Sequence, residues 1–242
     1  MANFYITKED IQENIAIIKG EEAQHISRVL RMKKGDSVTL CDGEGMFYDA
    51  TLTDFSDKTV TAEISASYTA PTEPAVQLTV FQGVPKNPKL ETVIQKLTEV
   101  GAVRLVPMDT KRAVAKLDKS AKVERLRKIA QEAAKQSKRG IVPEVTDCVP
   151  FKKAVEMAAQ ADLALIPYEE ETEVSLKNAL RGKTPKTVSV MIGPEGGFDE
   201  SEIMLAKETG IQSVTLGKRI LRTETAPLTV ASVVLYELGE ME

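Results

Sequence analysis

Tryptophan is missing from this chain of 242 residues, histidine occurs once and cysteine twice. A mechanism that needs a histidine base has His25 or nothing. Cys41 and Cys148 stand far apart among neighbours that ligate no metal. That argues against a disulfide framework or a zinc site and predicts a reducing, cytoplasmic setting with no metal. No apolar run is long enough to span a membrane: the longest candidate, 226–238, is short and holds Pro227, Thr229 and Ser232. Residues 1–10 lack the basic-then-apolar pattern of a signal peptide, so none is expected. An excess of positive charge is also lacking, since the net charge is −4. A nucleic-acid partner would therefore have to meet a local patch rather than an overall positive field.

What the chain does have is glycine where backbone chemistry uses it. The β-rich run 187–192 leads into Gly193-Pro194-Glu195-Gly196-Gly197, and a helical pattern starts near Asp199. Asp199 with Glu202 three positions on forms a capping box. The reading is strand, glycine-rich turn, helix, with backbone N–H groups open to a ligand. The turn fits neither a phosphate loop nor a dinucleotide fingerprint. A second unit follows at once. Ser213–Leu216 reads as a strand, 217–227 as a loop, and a last helix runs to about Leu238 with Leu228, Ala231, Val234, Leu235 and Leu238 on one face. Two such units place both loops at one sheet edge, where open α/β sheets bind ligands.

Residues 1–68 read as a small β domain, with strands near 14–18, 37–41, 45–54 and 58–64 that suggest a barrel. A helical stretch, 21–34, interrupts them and gathers His25, Arg28, Arg31, Lys33 and Lys34. The cluster reads either as a solvated helix end or as phosphate-contacting cations. Residues 69–75, with Pro71 and Pro74, read as a linker. From Val76 to residue 242, strand and helix alternate, as in a parallel sheet with helices on its faces. Strands are expected at 76–81, 104–108 and 163–167, and helices at 90–100, about 118–137 and 155–159. The long helix carries an excess of Lys and Arg, which suits a solvated face or an RNA-facing one. Lys86 and Lys89 lie on the loop after the first of these strands and admit the same two readings.

Taken together, Ile192-Gly193-Pro194-Glu195-Gly196-Gly197 and the segment Leu216-Gly217-Lys218-Arg219-Ile220-Leu221-Arg222-Thr223-Glu224-Thr225-Ala226 resemble the paired loops of the ribosomal RNA small subunit methyltransferase E family, in the SPOUT superfamily. The resemblance covers nearly the whole chain. It implies an α/β fold: a SPOUT-type parallel sheet with a C-terminal trefoil knot, preceded by a PUA-like RNA-binding β-barrel. Nothing in periodicity or composition shows the knot. It further implies S-adenosyl-L-methionine as cofactor, N3 of a uridine in 16S ribosomal RNA of the small ribosomal subunit as target, and a homodimer.

By the same resemblance, cofactor contacts fall on Ile166, Pro167, Ile192, Gly193, Glu195, Gly196, Gly197, Leu216, Gly217, Ile220, Leu221, Arg222, Thr223, Thr225 and Ala226, mostly through backbone. RNA contacts fall on His25, Arg28, Arg31 and Lys33 of the H-x-x-R-V-L-R segment and its flank, on Lys86 and Lys89, and on Arg112, Gln136 and Arg139. The chain departs from the family at Asn87-Pro88, where a glycine and an acidic residue are usual. Methyl transfer to N3 requires loss of a proton, and an arginine can stabilise the anion that forms at O2 or O4. Arg222 is the candidate, with Thr223 and Glu224 placing the base or orienting Arg222. The plainer reading is that 223–225 only cap the last helix.

Two rival classes remain open on the sequence. A non-catalytic RNA-binding or ribosome-assembly protein would use the basic helix and barrel and need no glycine loops. A Rossmann-type enzyme would carry its glycine fingerprint after an early strand, with an acidic residue about 20 positions on. Here the glycine loops lie near the C-terminus.

Overall fold

The computed structural model describes residues 3–86, 88–117 and 120–241. It divides into two compact units, one of residues 1–73 with 134–142, the other of 74–133 with 143–242. No helix among the described residues is long and apolar enough to cross a membrane.

The first unit is a six-stranded sheet built from β1 (Asn3–Tyr5), β2 (Ile11–Gln12), β3 (Ile15–Lys19), β4 (Ser37–Cys41), β5 (Met46–Phe55) and β6 (Thr59–Thr69). The spatial order is β1-β4-β5-β6-β3-β2, antiparallel except where β1 meets β4. Register shifts at Asp49/Ala50 and Leu52/Asp54 bend the long β5–β6 pair. Alternate residues turn inward, so Ile18, Val38, Leu40, Leu52 and Val60 share one core with Phe4 and Ile26. Among the described residues β1 and β2 end the hydrogen-bonded path, so the expected barrel is not closed by strand pairing.

The expected helix over 21–34 is shorter and changes winding. It is α-helical over Gly20–Gln24 (α1) and π-helical over His25–Val29. The Ser27 hydroxyl donates back to the Ala23 carbonyl at 2.7 Å, a bond that competes with regular helix. Arg31 then takes a left-handed φ of 53°, and the Met32 amide closes back on the Ile26 carbonyl at 3.0 Å. That is how a helix is stopped, and the helical pattern at 30–34 gave no sign of it.

Residues 69–75 are not a plain linker. Strand β6 continues to Thr69. Glu73 Oε1 accepts from the backbone amides of Gly140 and Ile141 at 2.8 and 3.1 Å, and Oε2 from Arg139 Nη2 at 2.6 Å. The Thr72 hydroxyl donates to the Lys138 carbonyl. Segment 134–142 is thereby stitched into the first unit, a long-range return that proline and polar composition cannot reveal. Arg139 is corrected by the same geometry. Only 2% exposed and bound to Glu73, its guanidinium is not available to an RNA phosphate.

The second unit is a parallel sheet of β7 (Gln77–Gly83), β8 (Arg104–Asp109), β9 (Glu144–Val145), β10 (Val149–Pro150), β11 (Leu163–Pro167), β12 (Thr187–Ile192) and β13 (Gln212–Val214). The order is β10-β8-β7-β12-β11-β13, with β9 also on β8. Helices cover both faces. On one, α2 (Lys89–Val100), α5 (Leu176–Leu180) and α7 (Ala226–Glu237) bury Leu90, Ile94, Leu97, Leu180, Val230 and Val234 against Leu78, Val80, Leu165 and Val190. On the other, α4 (Phe151–Ala158) and α6 (Glu200–Glu208) bury Phe151, Val155 and Ile203 against Phe81, Val106, Ile166 and Met191. The alternation of Val80 and Phe81, or Val190 and Met191, serves the two faces. The long helix α3 spans Ser120–Gln136, and its expected start at Asp118 lies outside the described residues. Helix α4 begins four residues earlier than expected, and α7 buries Val230 while Leu228 is only half-buried.

Removing Glu73 takes a carboxylate away from the buried Arg139 guanidinium and from the Gly140 and Ile141 amides. Glu73→Ala should therefore cost about 3 kcal/mol, read as a lower urea midpoint, while Lys8→Ala, which removes an exposed ion pair with Glu44, should leave the midpoint nearly unmoved.

Candidate active site

A cavity of about 950 Å3 lies at the C-terminal ends of β11, β12 and β13, within the second unit. Each strand contributes the loop that follows it: Pro167–Glu169, Ile192–Phe198 and Thr215–Thr223. This is the crevice where open parallel sheets hold ligands.

The first glycine loop is shaped from both ends. Gly197 N–H donates to the Pro194 carbonyl at 3.0 Å, closing a turn with Gly197 at a φ of 66°. Phe198 is buried with its ring 5.7 Å from that of Phe151, which pins the loop to the core. Asp199 caps α6 and Glu202 completes the capping box, as its spacing predicts. Glu202 also accepts from the Lys111 amide at 2.8 Å, and Arg112 Nη1 donates to the Gly196 carbonyl at 3.2 Å. Arg112 thus contacts the glycine loop itself.

The two loops are joined by one buried junction. The Thr223 hydroxyl donates to the Gly193 carbonyl at 2.7 Å. Gln82, at the end of β7 and 2% exposed, brings its Nε2 to 3.1 Å from Thr223 Oγ1, 3.3 Å from the Gly193 carbonyl and 2.9 Å from the Gly83 carbonyl. Beside it, a Cβ on Gly83 would stand 2.7 Å from Pro194 Cδ and 2.9 Å from its nitrogen, so only glycine lets the loop lie on the strand end. A Cβ on Gly193 would come within 3.1 Å of Gly197 backbone, and one on Gly196 within 3.1 Å of Arg112 Cβ. At Gly193 and Gly196 a side chain would therefore press on neighbouring chain, which keeps the first loop as bare backbone.

At the rim, Lys89 Nζ lies 3.1 Å from Glu195 and 3.2 Å from Glu224. Glu195 also accepts from the Lys86 amide at 3.1 Å. One ammonium thereby holds both loops and the start of α2. Partial desolvation raises the Glu195 carboxyl, but its own backbone amide and Lys89 outweigh that and hold it below its ordinary value. Glu224 is held down by its own backbone amide and then by Lys89, while the Lys89 ammonium is pushed up by Glu195 and then Glu224.

Of the expected cofactor residues, thirteen line the cavity: Pro167, Ile192, Gly193, Glu195, Gly196, Gly197, Leu216, Gly217, Ile220, Leu221, Arg222, Thr223 and Ala226. Ile166 does not; it is fully buried among Phe81 and Met191 on the sheet face. Thr225 does not either. It precedes α7 in helical conformation and makes no side-chain capping bond, so the capping role falls away with it. The Thr223 hydroxyl is engaged in the junction rather than open to a substrate. Arg222 is exposed at the cavity, and its charge adds to what holds the Glu224 carboxyl down. Lys86 is exposed, whereas Lys89 is committed to its carboxylates rather than free for phosphate. Asn87 lies outside the described residues. In the first unit His25, Arg28, Arg31, Lys33 and Gln136 are exposed, with His25 edge-on to Phe4. Gln82, Gly83, Tyr168 and Glu169 were missed. A polar residue closing the apolar run Leu78–Phe81 was the signal for Gln82.

The described residues hold no group of acidic, histidine or cysteine side chains that could bind a metal. Because Glu195 and Glu224 are lowered on folding, the contribution of their pairs with Lys89 is complete above the ordinary carboxylate value of 4.5 and is lost as the pH falls through the lowered values. Protection of the Lys86 amide and of those in 193–197, taken as intrinsic over observed exchange rate at each pH, should fall in that acid window, and Lys89→Met should show the lower protection already at neutral pH.

A model of the RNA methyltransferase domain matches residues 72–235, and a model of the RNA methyltransferase PUA domain matches residues 18–65. The ribosomal RNA small subunit methyltransferase E of Bacillus subtilis is 38% identical over 96% of this chain and 94% of its own. A crystal structure of the ribosomal RNA small subunit methyltransferase E of Neisseria gonorrhoeae bound to S-adenosyl methionine superposes with a TM-score of 0.84 at 29% identity, covering 98% of this chain and 97% of that one. A putative methyltransferase of Legionella pneumophila, also with bound S-adenosylmethionine, gives 0.83 at 29% identity over 97% and 96%. With its backbone cradle between two such loops, the chain belongs to the ribosomal RNA small subunit methyltransferase E family.

Proposed function

We propose that the protein methylates N3 of a uridine in 16S ribosomal RNA, in the cytoplasm, using S-adenosyl-L-methionine held between the 193–197 and 215–223 loops. The observation that carries this reading is the cradle itself. Glycines 193, 196 and 197 present bare backbone to a cavity of about 950 Å3, a size that suits a cofactor of this class. When bound, the cofactor would supply an electrophilic methyl group on a positively charged sulfonium.

The chain's own task is then placement and charge. Backbone around Gly193, Gly197, Leu216 and Leu221 would hold the cofactor, and the Gln82–Thr223 junction fixes the two loops at one separation. N3 lies on the pairing edge of uracil, so the target base must be unpaired when it enters. Arg222 lines the site as an exposed cation and would stabilise the anion left when the N3 proton departs to solvent. Glu224, paired with Lys89, would keep its loop in place. Thr223 is a positioning residue. The C-terminal segment would thread a loop to form the knot, and two copies would pair as a homodimer.

Small ribosomal subunits lacking the modification, incubated with labelled S-adenosylmethionine and digested to nucleosides, should yield label as N3-methyluridine. Label in another nucleoside would overturn the target while leaving the class intact, and absence of both transfer and cofactor binding would favour a non-catalytic RNA-binding protein. Arg222→Ala should lose about 100-fold in kcat with cofactor affinity within about twofold; unchanged turnover would remove Arg222 from the mechanism.

A further inference from the structure

Arg28-Val29-Leu30-Arg31 sits where the first helix of the chain leaves regular winding and stops. Val29 and Leu30 expose 68% and 44% of their surface, although the unit buries Ile26 beside them completely. A single exposed leucine needs no explanation. An adjacent pair, set between exposed arginines on a backbone turned left-handed at Arg31, does. Among the described residues, no carboxylate pairs with the side chains of Arg28, Arg31, Lys33 or Lys34. In a chain of net charge −4, such an unneutralised group selects a polyanion.

The same pattern recurs in the second unit. Arg219-Ile220-Leu221-Arg222 borders the cavity with Ile220 90% exposed, and both arginines are again exposed. That second copy stands where an unpaired base has to be handled, if the functional reading holds.

We propose that Val29 and Leu30 form an apolar wedge that packs on the face of an unstacked base, while Arg28 and Arg31 hold the flanking phosphates. The first unit would then select RNA with unpaired nucleotides rather than a duplex. Chemistry separates the two. A paired A-form helix offers phosphates, sugar hydroxyls and base edges, which suit the arginines but leave the apolar pair with nothing to cover it. Only an exposed base face supplies apolar area of that size. The proposal rests on the RNA-modifying reading of the chain, and its test needs neither cofactor nor turnover.

Fluorescence anisotropy of the full chain, without cofactor, compares a labelled hairpin-loop RNA with a blunt duplex of equal length over a salt series. Val29→Ser/Leu30→Ser should weaken loop binding about tenfold, leave duplex binding unchanged, and keep the slope of log K against log salt concentration. Val29→Ile/Leu30→Met should restore the affinity, and Arg28→Ala should lower the slope by about one while weakening both RNAs. Equal loop affinity for the serine variant and the parent overturns the wedge, as does a parallel loss on both RNAs. A parent that binds neither RNA defeats the RNA reading itself, a different failure.

Discussion

The catalytic half of the molecule depends on one buried amide. Gln82 ends a buried strand with an amide whose Nε2 bonds the Gly193 carbonyl and the Thr223 hydroxyl, while its Oε1 is buried without a partner among the described residues. Loops separated by some thirty residues of chain are thereby held against the same strand end. Neither loop has a core of its own. The spacing between them, and with it the shape of the cavity, is set by hydrogen bonds of fixed length in a place that water does not reach.

Around that junction the site is almost entirely main chain. Side chains that line it divide by job: Leu216, Ile220 and Leu221 offer apolar surface, Lys89 neutralises Glu195 and Glu224, and Arg222 brings an exposed cation to the cavity. Such a division suits a displacement reaction, in which orientation does most of the work and a single positioned cation can stabilise an anion that forms on the substrate. In the first unit Arg28, Arg31, Lys33 and Lys34 are exposed, whereas Lys8, Lys19, Lys135 and Arg139 pair with carboxylates.

Much of this was legible in the residues. Alternation of strand and helix from Val76 onward, the Asp199–Glu202 capping box and the two glycine-rich turns give a local signal within a few residues of each feature, and the sheet with its loop pair follows. What escaped depends on partners distant in sequence. Glu73 looked like linker because its contacts lie at 139–141. Lys89 looked like a free cation because Glu195 and Glu224 reach it only through folding. Ile166 looked like a pocket residue because strand-end position does not say to which face a side chain turns. The end of the first helix was hidden for a local reason: arginine at a left-handed position breaks the usual association with glycine.

The return of segment 134–142 to the first unit bears on how the protein is made. As the chain leaves the ribosome, every strand of the first sheet has emerged by Thr69, yet the groups that satisfy Glu73 come some seventy residues later. The N-terminal unit is thus not a module that can be finished and set aside before the next begins. Its completion waits on the strands β7 and β8 and the long helix α3, so the order of synthesis couples the assembly of the two halves even though each has a core of its own.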